Sequence, residues 1–260
     1  MDILVCVTRV PDTAENEIEV SKDGTDIERG ALVYSINEAD NYAVEEAIQI
    51  KERVGGSVTV VTVGTEESEE VLRREMAMGA DKGILLTDDA FAGTDGRGIA
   101  TILKAEVEKG KYDLILTGAL ADAGAGEVGG MLAAMLDRPY ASLVNSIEIV
   151  DESTLKVGRE VEGGNTEMNR IKLPCVLSIQ TGINEPRYVG IRGIRQVASV
   201  QIPVHGAGDL GLKAEAIAPR VQRQDYFVPT FGAGAEMLEG SNEEIIEKLV
   251  EMLKAKGGLK

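Results

Sequence analysis

Five glycines, Gly118, Gly124, Gly126, Gly129 and Gly130, crowd the short stretch LTGALADAGAGEVGG. A loop this rich in glycine lets backbone N–H groups approach a phosphate, and a helix that opens just after it aims its positive end at the same point. Gly124 to Gly129 fits a loose G-x-G-x-x-G, but the pattern follows the fourth strand-like run and not the first. That position argues against an ordinary Rossmann dinucleotide site, and no Walker lysine follows to support P-loop hydrolysis. The same glycines would equally permit a tight turn and close helix packing. On the residues alone both readings stay open, with nucleotide binding preferred by a narrow margin.

Other side chains offer less chemistry. Asp12, Asp40 and Asp122 fall near expected strand ends and could do acid–base work, yet among 44 acidic residues such placement arises by coincidence. The one histidine, His205, follows VASVQIPV and reads as surface loop; a single histidine leaves almost no way to build a zinc site or a histidine-based triad. Cys6 and Cys175 lie in apolar strand-like runs and read as buried, reduced thiols. In NEPRYVGIRGIRQ, Arg187, Tyr188, Arg192 and Arg195 form a basic loop with a hydrophobic tip, either a docking surface or a solvated connector. The formal net charge of −17 excludes nucleic acid as a bulk partner, and 3% aromatics with no tryptophan supply no stacking platform for single strands. A nucleotide-shaped loop without a catalytic constellation points to binding, not to independent catalysis.

The elements that must hold this loop follow from periodicity. Residues 3–7, 57–64, 82–88 and 112–118 are short β-rich apolar runs, as expected of strands buried on both faces. Helical patterns separate them: 38–56 with Ala43, Val44, Ala47, Ile48 and Ile50 on the apolar stripe, then EESEEVLRREMAMGAD, GRGIATILKAEVEKGK and GEVGGMLAAML. Glu17–Val20 and ALVYSI read as a hairpin-like pair around a turn-rich segment. This alternation predicts an α/β fold with a mostly parallel, doubly wound sheet. After residue 145 the rhythm becomes antiparallel, with a Gly163-Gly164 turn and CVLSI returning to the sheet. The chain then runs loop-rich to a last helix, SNEEIIEKLVEMLKAK. No run reaches membrane-spanning length, so a cytoplasmic protein is expected.

The segments VGREVEGGNTEMNRIKLPCVLSI and NEPRYVGIRGI strongly resemble the β subunit of electron-transfer flavoproteins. Val157, Arg159, Glu160, Gly163, Gly164, Glu167, Lys172, Leu173 and Pro174 supply that family's signature, and ILVCVTRVPDT, INEADNYAVEEAIQIKE, AMGADKGI and YDLILTG extend the likeness over nearly the whole chain. The resemblance implies an adenine-nucleotide-binding α/β domain over 1–203 and a C-terminal arm and helix over 204–260 that contacts an α subunit. It implies an electron carrier between flavin dehydrogenases, such as acyl-CoA dehydrogenases, and a quinone reductase or other acceptor. FAD would be held mainly by the α subunit and AMP by this one. The alternative is an electron-bifurcating subunit with a second FAD that oxidises NADH; an ATP-binding stress-type protein is a more distant one.

By the same resemblance the nucleotide contacts are Cys6, Asn37, Glu38, Ala39, Asp40, Val63, Thr117, Gly118, Asp122, Ala123, Gly124, Ala125, Gly126, Glu127 and Val128. The partner-recognition loop is 184–195, with Tyr188, Arg192, Arg195 and, at its tip, Ile191 where a leucine is typical. The chain departs from the family at Thr8 (usually lysine), Glu38 (usually proline), Ala123-Gly124 in the acidic loop, and Glu127 (usually glutamine). Glu127 beside a phosphate would need a cation or a side chain turned away.

Overall fold

The computed structural model describes residues 1–120, 126–221, 223–230, 232 and 234–258. In strand β1 (Asp2–Cys6) every residue after Asp2 is buried, and the two-residue period divides them between two layers. Ile3 and Val5 join one core with helices α1 (Glu38–Val54) and α2 (Glu69–Met78); Leu4 and Cys6 join another with α3 (Gly96–Val107) and α4 (Val128–Met135). Both faces of the strand are therefore apolar, which is why its sequence runs hydrophobic without alternation. Each buried Ile or Leu contributes about 1.5–3 kcal/mol to this arrangement.

The other strands are β2 (Arg9–Pro11), β3 (Tyr34–Ile36), β4 (Ser57–Val63), β5 (Lys82–Leu86), β6 (Leu114–Gly118), β7 (Tyr140–Asp151), β8 (Thr154–Val161), β9 (Asn165–Lys172), β10 (Cys175–Ile179) and β11 (Val204–His205). Nine of them form one sheet in the order β11-β5-β4-β1-β6-β10-β7-β8-β9. Pairing is parallel from β11 to β7 and antiparallel from β7 through β9. The doubly wound, mostly parallel sheet expected from the sequence is present, as are the late antiparallel strands. Strand β7 makes the junction: Tyr140–Val144 pairs with β10 and Val144–Asp151 with β8, and both registers shift next to Val144, beside Leu143 at φ +53°. The family-signature residues lie here, with Arg159 and Glu167 opposed on β8 and β9 and paired at 3.3 Å.

Two local expectations are corrected. Glu17–Val20 does not pair with residues 31–36; β3 pairs instead with β2. The carboxamide of Asn16 accepts from Val33 N at 2.8 Å and donates to Val33 O at 2.7 Å, taking the backbone positions a partner strand would use. His205 is not surface loop. It lies in β11, its Nδ1 2.8 Å from the buried Glu106 of α3, while Leu85 N and Thr87 N donate to Pro203 O and His205 O.

The chain divides into two compact units, Met1–Ile18 with Glu28–Gln224, and Glu19–Ile27 with Asp225–Lys260. In the second, Val20 bridges Ile27 and Tyr226 N donates to Gly24 O. Its helix α7 (Asn242–Ala255), which follows α5 (Ile191–Val197) and α6 (Ala214–Ile217) of the larger unit in chain order, opens on a capping box between Ser241 and Glu244. Among the described residues no helix is long and apolar enough to cross a membrane.

Candidate nucleotide site and docking surface

Strand β1 crosses over to β4 on one side, while β6 lies on its other side, so the chain changes direction between β1 and β6. In open α/β sheets that reversal leaves a crevice at the carboxyl ends of the strands. Asp40, in the first turn of α1, spans it: Oδ2 accepts from Thr8 N at 2.8 Å and Oδ1 from Gly118 N at 2.9 Å. Asn37 adds a second tie, its N donating to Thr8 O and its Nδ2 to Leu120 O, both at 2.9 Å. The N-terminus of α1 is thereby fastened to the ends of both strands.

Burial pushes the Asp40 carboxyl up to about 7, against the opposing effect of the hydrogen bonds from Gly118, Asn37 and Thr8. Burial, together with the Asp40 charge, likewise raises the Cys6 thiol far above its ordinary range, so Cys6 is an uncharged wall of the crevice. Val63 ends the neighbouring β4 and is half-buried.

On the far side, Thr117 and Gly118 end β6. The Thr117 hydroxyl lies 2.8 Å from Ser178 Oγ, which lies 2.9 Å from Tyr140 Oη. The first turn of α4 rests directly on this hydroxyl chain: a Cβ at Gly129 would fall 2.3 Å from Ser178 Oγ and 2.6 Å from Thr117 Oγ1. Gly126 adopts φ +73°, and a Cβ there would meet Ala119 O at 2.3 Å. Two of the clustered glycines thus have steric reasons beyond any ligand.

Glu127, the N-cap of α4, turns its carboxylate to the start of α3, where a Cβ on Gly96 would lie 2.3 Å from Oε1. A carboxylate is favoured beside a helix N-terminus. Its Oε2 is buried and has no hydrogen-bond partner among the described residues.

The expected contacts Cys6, Asn37, Glu38, Ala39, Asp40, Val63, Thr117, Gly118, Gly126, Glu127 and Val128 are brought to the carboxyl ends of β4, β1 and β6 and the openings of α1 and α4. Asp122, Ala123, Gly124 and Ala125 lie outside the described residues. These strand ends and helix openings are the place where open α/β sheets take their ligands, and the Glu127 side chain is turned away from them towards α3. Sequence reasoning missed Thr8 N as a partner of Asp40 and the Ser178–Tyr140 hydroxyls; a serine inside the apolar run CVLSI was the available signal.

A second surface lies elsewhere on the larger unit. Residues 191–197 form helix α5 (Ile191–Val197), none of whose residues is buried. Tyr188 is 91% exposed, Ile191 67% and Ile194 51%, with Arg192 and Arg195 exposed beside them. Arg187 does not belong to this exposed tip. Its guanidinium bonds Glu45 at 2.9 and 3.0 Å and Glu52 at 2.7 and 3.2 Å, both on α1. Hydrogen bonds to Glu52 and Glu45 raise the Arg187 pKa further above its ordinary value. Burial alone would push the Glu45 carboxyl up, but hydrogen bonds from Arg187 and Gln49 hold it below its usual value.

Comparison with known proteins gives the same family as the sequence signature. Residues 26–210 match the family model described as Electron transfer flavoprotein domain. The chain is 33% identical to Electron transfer flavoprotein subunit beta of Methylophilus methylotrophus, with 97% of this chain and 98% of that protein covered. It is 34% identical to the protein of that name in Bacillus subtilis, with 98% of each covered. To the Caffeyl-CoA reductase-Etf complex subunit CarD of Acetobacterium woodii it is 37% identical, over 98% of this chain and 99% of that one. With its signature on β8 and β9 and its likeness running end to end, the chain belongs to the electron-transfer flavoprotein β-subunit family.

Proposed function

We propose that this chain is the β subunit of a heterodimeric electron-transfer flavoprotein that holds AMP structurally in the crevice between β1 and β6. It would carry electrons from flavin dehydrogenases, such as acyl-CoA dehydrogenases, to a quinone reductase or another acceptor. The observation that carries this reading is the Asp40 bridge, which fastens α1 to the two strand ends at the reversal point and shapes a crevice without asking any residue to react. FAD, held mainly by the α subunit, supplies the electron chemistry. This chain's residues bind, orient and exclude water.

Tyr188, Ile191, Arg192 and Arg195 form the partner-recognition surface. Its chemistry suits an apolar pocket rimmed by carboxylates. The exposed Ile246, Leu249 and Leu253 on α7 repeat at helical spacing and suit an apolar face of the α subunit.

A second reading is a bifurcating subunit with its own FAD in the same crevice, oxidising NADH. In that reading the chain would serve a reductase assembly, as the Acetobacterium woodii relative is named a subunit of a caffeyl-CoA reductase–Etf complex. Counting cofactors in the native αβ complex separates the two. One FAD and one AMP per heterodimer is the expected result; two FAD with flavin reduction by NADH would replace the AMP reading by the second.

A further inference from the structure

The exposed helix α5 is short, carries Gly193 at its centre and has no fully buried residue, so its own backbone bonds cannot keep it in one orientation. Its two ends are nevertheless fixed. At the entry, Arg187 forms a fork to Glu45 and a second to Glu52, its own N donates to Glu45 at 3.1 Å, and Asn184 Nδ2 reaches Tyr42 O and Glu46 of the same helix α1. At the exit, Arg73 of α2 donates to Val197 O at 2.6 Å and Ala198 O at 3.2 Å, closing carbonyls that the end of α5 would leave open. Arg73 is itself steadied by Glu69 at 2.6 Å. Between the clamps the backbone of Gly193 lies on α2, where a Cβ would come 2.7 Å from Ala77 O. Val189 and Val197 are tucked against the core on either side.

We infer that Arg187 and Arg73 are positioning residues that pre-organise residues 188–198 for docking, so that Tyr188, Ile191 and Ile194 are offered to the partner in one fixed arrangement. The inference rests on the docking role proposed above for this surface. Neither arginine need touch the partner: both guanidinium groups are spent on α1 and on the α5 carbonyls. Fixing the segment beforehand removes the ordering cost from association, so the clamps act on affinity and leave the electron-transfer step alone.

The test uses the whole αβ complex with Arg187→Met, Arg187→Lys, Arg73→Met and Gly193→Ala. The first readout is amide hydrogen exchange, which needs no partner. In Arg187→Met and Arg73→Met, exchange in 188–198 is expected to quicken about tenfold or more, with the amides of α1 and α2 still protected and nucleotide content unchanged. Arg187→Lys, which keeps the charge but loses the forks, should fall between. The second readout is electron transfer from butyryl-CoA dehydrogenase reduced with butyryl-CoA. If the docking-competent fraction falls to about a tenth, the apparent KM for this protein rises about tenfold while kcat at saturation stays level.

Unchanged exchange in 188–198 would overturn the clamps whatever the surface does. Loss of protection throughout α1 and α2, with kcat falling too, would make the arginines merely structural and overturn the inference. Faster exchange confined to 188–198 with KM unmoved would overturn it by a different route, through failure of the docking reading. Should Arg187→Met not fold, Gly193→Ala, which disturbs only the seat of α5, gives the same two readouts.

Discussion

Gly118→Ala tests the crevice where sequence and geometry meet. The new Cβ would sit 2.4 Å from Asp40 Oδ1, 2.9 Å from Ala39 Cβ and 3.0 Å from Asp40 N. Relaxed non-bonded contacts between heavy atoms lie near 3.5–4.0 Å, so the clash with Oδ1 amounts to about 1 Å. Little can yield: Ala39 and Asp40 are buried, and Gly118 is held within β6. Asp40 must withdraw, which breaks its bond from Gly118 N and strains the one from Thr8 N. Overpacking of this kind costs about 1–3 kcal/mol, and an unsatisfied buried N–H about as much again. The sum of roughly 2–6 kcal/mol corresponds to a fall in Tm of about 4–24 °C for a chain of this size. The assay is a thermal melt of the purified heterodimer together with chromatographic counting of nucleotide released on denaturation. Both stability and nucleotide content are expected to drop. Gly30→Ala is the control, because a Cβ there meets nothing within 4 Å. A Gly118→Ala protein melting within about 2 °C of wild type, with its nucleotide retained, would refute the bridge as the organiser of the crevice.

Three more predictions concern other parts of the larger unit. Glu75 on α2 is fully buried, and among the described residues neither of its oxygens has a hydrogen-bond partner; burial pushes its carboxyl up to about 8, with Arg74 pulling the other way. The folded chain therefore takes up a proton between about pH 4.5 and 8, and the stability Glu75 contributes is lost as pH rises through that window. Glu75→Gln has no such dependence, so its stability should match wild type near pH 4.5 and exceed it above pH 8, by at most about 5 kcal/mol; parallel stability–pH curves would contradict this. Ile191→Ala should slow electron transfer from the dehydrogenase without loss of nucleotide, and equal rates in stopped-flow would remove the docking role from the loop. His205→Ala strips Glu106 of its 2.8 Å partner and should cost about 1–3 kcal/mol, seen as a lower denaturation midpoint and faster exchange at Leu85 and Thr87; wild-type protection at both would mean β11 is held by its backbone alone.

The sheet was legible because burial on both faces leaves a local mark: residues 3–7, 57–63 and 112–118 are continuous apolar runs whose neighbours along the chain are helices with apolar stripes. The crevice was legible for the same reason, since its place follows from strand order and its glycines are contiguous. What the sequence hid is non-local. Arg187 and Glu45 are 142 residues apart, and among so many acids nothing singles out the two that a guanidinium will select. Helix α5 was read as loop because IRGIRQV has β-branched residues and a central glycine; tertiary clamps, not propensity, make it helical. The false hairpin at Glu17–Val20 had good strand composition, and one asparagine side chain displaced it. His205 looked exposed because its partner, Glu106, sits on a helix a hundred residues away that otherwise reads as solvated on that side.

The contact between His205 and Glu106 has a practical side. A chain with one histidine gives one set of imidazole ring signals, free of overlap. Those signals come from β11, the edge strand beside β5 at the parallel end of the sheet. Their chemical shift, followed by NMR through a titration with nucleotide, would report whether an event elsewhere on the molecule reaches that edge, with no label or substitution introduced.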